Sequence, residues 1–184
     1  LDSKIMENKI EDATHVLEYM SHTIDDFRGF FSPKKEKERF YLHELIENIL
    51  LISSNMFKNN NIEIVSDIDK NIVLNSYLNE LQQVILNILK NAKDALVENN
   101  IKSPYIKIEA KVDEKNIYLS ITDNAGGIKT EPINKIFEAY FTTKPQSQGT
   151  GIGLYMSKMI LEKSMKGKLF VENIEDKARF TIKL

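Results

Sequence analysis

Apolar residues in the first thirty positions fall at Met6, Ile10, Ala13, Leu17, Met20, Ile24, Phe27 and Phe31, in alternating steps of four and three. That seam predicts a long helix over 1–32 built to pack on other helices. Phe27, Phe30 and Phe31 would otherwise face water, so the pattern calls for a partner helix, in cis or from a second copy. Pro33 disfavours helical geometry in Ser32 and ends the helix there. The charged run Lys34–Arg39 then reads as a solvated linker over 34–40.

From Phe40 the texture becomes mixed. Leu42, Leu45, Ile46, Ile49 and Ile52 mark one face of an amphipathic helix reaching Phe57. Ile62, Ile64 and Ile68 alternate as a strand, and Asn71–Leu74 is a short second one. A strong helix follows from Ser76 to about Val97, its inner face marked by Leu81, Ile85, Ile88, Ala92 and Leu96. Tyr105–Lys111 and Asn116–Thr122 read as a hairpin, Leu154–Lys163 as a helix, and Lys168–Glu172 and Arg179–Leu184 as two final strands. The pattern predicts an α+β unit over 41–184, with a mostly antiparallel sheet covered by helices on one face and one long helix before it.

Composition narrows the function classes. The chain has 184 residues, 42% hydrophobic and 28% charged, with a net charge of −2. That is enough apolar material for a core, and no bulk positive field argues for nucleic acid or an anionic membrane. With no cysteine, disulfides, thiolate catalysis and zinc-thiolate sites are excluded, and a reducing compartment is favoured. No apolar run approaches the ~20 residues that span a bilayer, and no signal peptide is visible. The chain opens on Leu1 rather than Met, so a longer parent protein is expected.

Three stretches carry candidate chemistry. On the helix at 76–97, Gln83, Asn87, Asn91 and Asp94 recur in steps of four, four and three and share one face. Oxygen donors on such a stripe suit a hard cation, and magnesium takes only one or two protein ligands beside substrate phosphates; a plain solvated face fits the stripe equally. Next, a strand runs into Asp123 and then Asn124-Ala125-Gly126-Gly127. A carboxylate accepts but cannot donate, which suits an exocyclic amino group, and the glycines permit close approach of a flat ligand. An ordinary turn would look the same. Third, Gly149-Thr150-Gly151-Ile152-Gly153-Leu154 opens directly into a helix, where free amides and the helix dipole favour phosphate. It is neither a Walker loop nor a Rossmann fingerprint. Between these lie Phe137, Tyr140 and Phe141, candidates for core, and Thr142, Thr143 and Lys144, natural phosphate contacts in a segment composed like a mobile lid.

The order N-x-x-x-N, D-x-x-G-G, F-E-x-Y-F-T-T-K and G-T-G-I-G-L resembles the catalytic ATP-binding module of bacterial sensor histidine kinases, over about residues 40–184. That module shares the Bergerat ATP-binding fold with gyrase, Hsp90 and MutL proteins. The resemblance implies ATP and Mg²⁺ as ligands, with Asn91 holding the metal and Asn87 a second candidate. It implies that Asp123 binds the adenine amino group beside Gly127 and Ile128, and that Tyr140, Phe141, Thr142, Thr143 and Lys144 flank the nucleotide with Asp94. It also implies that Gly149 to Leu154 close over the phosphates, with Asn87, Asn91 and Lys144 the residues nearest the chemistry. Residues 1–33 resemble the second helix of a dimerisation and phosphotransfer hairpin, as in kinases with an H-Q-W-R-Q-P motif. That motif is absent, so the phosphoacceptor histidine is expected outside these residues, and neither His15 nor His22 replaces it.

Two positions depart from the family pattern. Ala125 stands where the first glycine box usually has glycine, and a small Gly-Thr is missing before the last strand, where Thr181 is the remaining hydroxyl. The expected function is transfer of the γ-phosphoryl of Mg-ATP to a histidine elsewhere, then to a response-regulator receiver domain. The expected partners are a second copy through 1–32 and that receiver, without nucleic acid or membrane contact, in the cytoplasm. The rivals are a gyrase, MutL or Hsp90-like ATPase, for which Glu80 is poorly spaced and Gln83 cannot act as base, and a degenerate core that only dimerises.

Overall fold

The computed structural model describes residues 36–145 and 149–184, together with Thr14 and Leu17. The long helix expected over 1–32, with His15 and His22, lies outside the described residues.

The first strand, β1 (Glu38–Tyr41), pairs antiparallel with β3 (Val73–Ser76) as a small separate ladder. The charged run before Phe40 is therefore not all linker. Phe40 is buried, and Leu42 N–H donates to Ile72 O, anchoring the entry into the next helix. The expected helix 42–57 is two helices, α1 (Leu42–Ile52) and α2 (Ser54–Lys58). The break falls at Ser53, whose hydroxyl donates to Ile49 O and competes with helix propagation.

The larger sheet has the order β2 (Glu63–Asp67), β4 (Tyr105–Val112), β5 (Ile117–Asp123), β7 (Lys177–Lys183), β6 (Lys168–Ile174). The β2–β4 pair is parallel and the other three are antiparallel, so the sheet is mixed and mostly antiparallel. Strict alternation sorts its faces. Ile106, Ile108, Leu119, Ile121, Phe180 and Ile182 are buried under the helices, while Lys107, Glu109, Arg179 and Lys183 lie on the other face.

The long helix α3 (Leu78–Glu98) covers the buried face. Leu81, Val84, Ile85, Ile88, Leu89, Ala92 and Leu96 pack into one core with the sheet and with α1. It has no internal Gly or Pro, and it stops because Asn100 turns left-handed at φ 49°. There Asn100 N–H donates to Val97 O and Ile101 N–H to Leu96 O, so the last carbonyls are satisfied by a Schellman closure. The final helix α4 (Gly153–Met159) runs into a wider π turn over Ile160–Ser164 before β6. A 3₁₀ turn at Ile133–Phe137, not foreseen in the sequence, seats Phe137 edge-on against Phe180, with centroids 6.5 Å apart. Among the described residues no helix is long and apolar enough to cross a membrane.

Ile121 lies at the centre of this packing, on an inner strand and fully enclosed. Ile121→Ala should cost about 2–5 kcal/mol of stability, read as a lower midpoint in chemical denaturation with an unchanged slope.

Candidate functional site

The polar face of α3 and the glycine-rich turns enclose a cleft of about 970 Å³, near the upper end of small-ligand sites. Its floor is the end of β5. Alternation puts Asp123 on the same face as Ile121, so the carboxylate is carried into the protein and is only 3% exposed. Burial pushes its pKa up to about 6, against two backbone hydrogen bonds that favour the charged form. One of these is the Ala125 N–H, which donates to Oδ1 at 3.0 Å.

The turn after Asp123 is clamped from three sides. Asn99 at the end of α3 donates to Ala125 O at 2.7 Å, Gly126 N–H donates to Asp176 O, and Ile128 N–H donates to Asn173 Oδ1 while its carbonyl accepts from Asn173 Nδ2. Asn124 ties the end of β5 back to Tyr105 N–H and Ser103 O. Positive φ is needed at Gly126 (98°) and Gly127 (71°) but not at Ala125, so alanine meets no backbone penalty at that position. Asn99, Asn173 and Asp176 were not singled out in the sequence. Their signal is tertiary, since each holds the turn from an element distant in the chain.

At the other end, α3 meets the second glycine turn. Asn87 Nδ2 donates to Ser157 Oγ at 2.9 Å, and Ser157 Oγ donates to Gly153 O. Gly153 sits so close to Asn87 that a Cβ there would lie 2.5 Å from Asn87 Oδ1. Gly151, at φ 66°, passes equally close to the backbone of Tyr140, whose N–H donates to Gly151 O. Close backbone approach is what both glycines provide.

Across the cleft, Lys144 Nζ lies 2.5 Å from Asp94 Oδ2, and Lys93 pairs with the same carboxylate. Burial acts to raise the Asp94 pKa, but the hydrogen bonds and charges of Lys144 and Lys93 outweigh it and hold the group below its usual range. Lys144 N–H also donates to Thr142 Oγ1.

The cleft brings together Asn87, Asn91, Asp94, Asp123, Gly127, Ile128, Phe141, Thr142, Thr143, Lys144, Gly149, Thr150, Gly151, Gly153 and Leu154. Three expected residues do not line it. Thr181 stands on the opposite face of β7, within 3.2 Å of Ser120 Oγ, because alternation turns Ala178 and Phe180 toward the cleft instead. Tyr140 is 69% exposed on the rim, and Ile152 is buried behind the turn. Gln83, on the same helical stripe, is also outside the cleft. Residues that the sequence did not mark, Ile136, Ala178, Phe180, Lys90 and Lys129, complete the walls.

A family model described as histidine kinase-, DNA gyrase B- and HSP90-like ATPase matches residues 77–184. The chain belongs to this family. It is 36% identical over 115 residues to the two-component sensor PprA of Pseudomonas aeruginosa, covering 61% of this chain and 12% of that protein. It is 29% identical over 142 residues to sporulation kinase A of Bacillus subtilis, covering 77% and 22%. The chain thus spans less than a quarter of the length of these curated relatives. Among solved structures, the catalytic domain of histidine kinase ThkA superposes with a TM-score of 0.71 at 27% identity, over 81% of this chain and 95% of that one. The described residues form an ATPase domain of this family, similar to the catalytic domain of a histidine kinase, in an α+β fold with the cleft beside its long helix.

Two predictions follow from this geometry. Gly151→Ala and Gly153→Ala should each reduce stability by about 1–3 kcal/mol, through the Tyr140 backbone and the Asn87 amide respectively, and thermal unfolding reads both. Asp123 gives the second. Between about pH 4 and 6 the unfolded chain loses this proton while the folded chain keeps it, so stability falls as pH rises through that window and stays lower above it. The full loss is roughly 3 kcal/mol. Asp123→Asn should therefore be more stable than wild type above pH 6, with a flatter profile between pH 4 and 6 in denaturation measurements.

Proposed function

We propose that this chain binds Mg-ATP in the cleft and, within its parent protein, donates the γ-phosphoryl group to a histidine outside residues 1–184. Asp123 carries the reading: a buried acceptor on the floor of a cleft with apolar walls at Ile136, Ala178 and Phe180 suits the adenine amino group. Gly127 and Ile128 bring the backbone close to the ring. The amides from Gly149 to Leu154, with Thr142, Thr143 and Lys144, face the phosphates.

The donor set fits a magnesium ion held through substrate. No described residue hydrogen-bonds the Asn91 amide in the cleft, leaving its oxygen free for a cation. No group of three His, Cys, Asp or Glu side chains capable of holding a metal occurs among the described residues, so phosphate and water would supply the remaining ligands. Asn87 donates from its amide nitrogen to Ser157, which leaves Oδ1 as the second candidate oxygen. Mg²⁺, when bound, neutralises charge on the transferring phosphoryl group. The chain's own residues orient the nucleotide and exclude water, and positioning of this kind supplies most of the catalysis in phosphoryl transfer.

The clamp ATPases of the same family instead need a glutamate base on this helix. Glu80 is buried and does not line the cleft, and Gln83 cannot accept a proton. The curated relatives are sensors and kinases, and ThkA has been solved with a response regulator, TrrA, at 20% identity to this chain. By analogy the phosphoryl group passes on to a receiver aspartate, and residues 1–32 form a dimer in the cytoplasmic part of the parent.

Thermal unfolding with Mg-ADP at about 100 times its Kd should raise the midpoint by roughly 5–10 °C, from a linkage energy of about 2.7 kcal/mol. Asp123→Asn should abolish that shift while keeping its own higher midpoint. No shift in wild type would refute the site, and a core that only dimerises would then be the better reading. Incubation of residues 1–184 with ATP should leave no acid-labile phosphate. Its appearance on His15, His22 or His43 would overturn the placement of the acceptor.

A further inference from the structure

The Lys144–Asp94 pair sits where a bound nucleotide has to pass. Along α3, Asn99 fastens the adenine end of the cleft through Ala125, and Asn87 fastens the glycine-turn end through Ser157. Asp94 lies between them, about 7 Å of helix rise from Asn99 and about 10 Å from Asn87. A nucleotide with adenine on Asp123 and phosphates on the glycine turn runs directly beneath this level. The pair is also well covered, with side-chain exposures of 19% for Lys144 and 17% for Asp94.

We infer that the Asp94 carboxylate competes with the nucleotide phosphates for the Lys144 ammonium, so that binding proceeds by exchange of one anion for another at this lysine. The inference rests on the nucleotide reading of the cleft. Three observations favour competition over a supporting role for Asp94. The Lys144 backbone is held without it, by the bond from its N–H to Thr142 Oγ1, and Gly149 packs closely against both side chains, a Cβ there lying 2.8 Å from Thr142 Oγ1 and 3.2 Å from Lys144 Cβ. Asp94 is not left bare when Lys144 departs, because Lys93 occupies its other oxygen. The carboxylate also stays charged at neutral pH, its pKa held down by the two lysines despite burial, and so it remains a full competitor for the ammonium. A phosphate group with up to two charges is the stronger partner for an ammonium with three donors. Asp94 therefore lowers affinity for phosphorylated ligands while leaving the nucleoside untouched.

The test compares Mg-ADP and adenosine binding by calorimetry, using residues 1–184 as wild type, Asp94→Asn, Lys144→Met and the double variant. Asp94→Ser serves as a second charge removal, and unfolding midpoints establish that each variant is folded. The expected result is Mg-ADP binding tighter by about fivefold or more in both Asp94 variants, unchanged adenosine binding, and no gain when Lys144 is already Met. Weaker Mg-ADP binding in Asp94→Asn would make Asp94 a support for Lys144 and overturn the exchange. An equal change for adenosine would place Asp94 on the nucleoside, and a gain that persists without Lys144 would reduce the effect to general repulsion. Wild-type binding that does not respond to either Asp94 variant overturns the exchange alone. Failure of wild type to bind either ligand overturns the site reading with it.

Discussion

The helix Leu78–Glu98 has to satisfy two surfaces at once. One side is apolar and seals the sheet; the other presents amides and a carboxylate to the cleft. The two demands cannot be adjusted separately, because rotating the helix to improve one exposes the other. Each end is therefore pinned by an asparagine to a turn that forms the opposite wall: Asn99 to the carbonyl of Ala125, Asn87 to the hydroxyl of Ser157. Glycine makes the second attachment close enough, and the Schellman closure at Asn100 sets where the first falls.

The buried carboxylate of Asp123 is the opposite kind of constraint. Folding leaves it in a place that disfavours its charge, and the turn around it offers only backbone donors. That is a poor arrangement for the empty protein and a good one for a ligand that donates hydrogen bonds. Rigidity in the turn, from Asn173, Asp176 and Asn99, prevents the carboxylate from relaxing toward water.

Most of the secondary structure from Phe40 onward was legible because periods of two and 3.6 residues are strong signals in this chain. What failed was local competition and pairing. Ser53 splits a helix through a single hydroxyl, and β1 forms in a run of charge because β3 offers it a ladder. In the site, the motif residues were legible as chemistry, whereas their facing was not always. Thr181 illustrates this: Phe180 and Ile182 flank it as apolar neighbours, and strict alternation with β5 places it beside Ser120, away from the cleft. Ala125 shows the reverse, a departure from the family pattern that carries no backbone penalty, since its φ is not positive. The supports were illegible because nothing local marks that a helix cap (Asn99), a strand-end amide (Asn173) and a turn carbonyl (Asp176) will reach the same distant turn.

The sheet's alternation also partitions how freely the sequence can drift. The strand residues that line the cleft, Asp123, Ala178 and Phe180, hang from the helix-covered side, while Lys107, Glu109, Thr122, Arg179 and Lys183 look away from it. Arg179 reaches Thr122, and Lys107 reaches Glu109, without touching anything that a nucleotide would meet. Half of each strand is thereby insulated from the chemistry. A lineage can redecorate that face, in charge or in shape, while the other half of the same strands keeps its atoms in place.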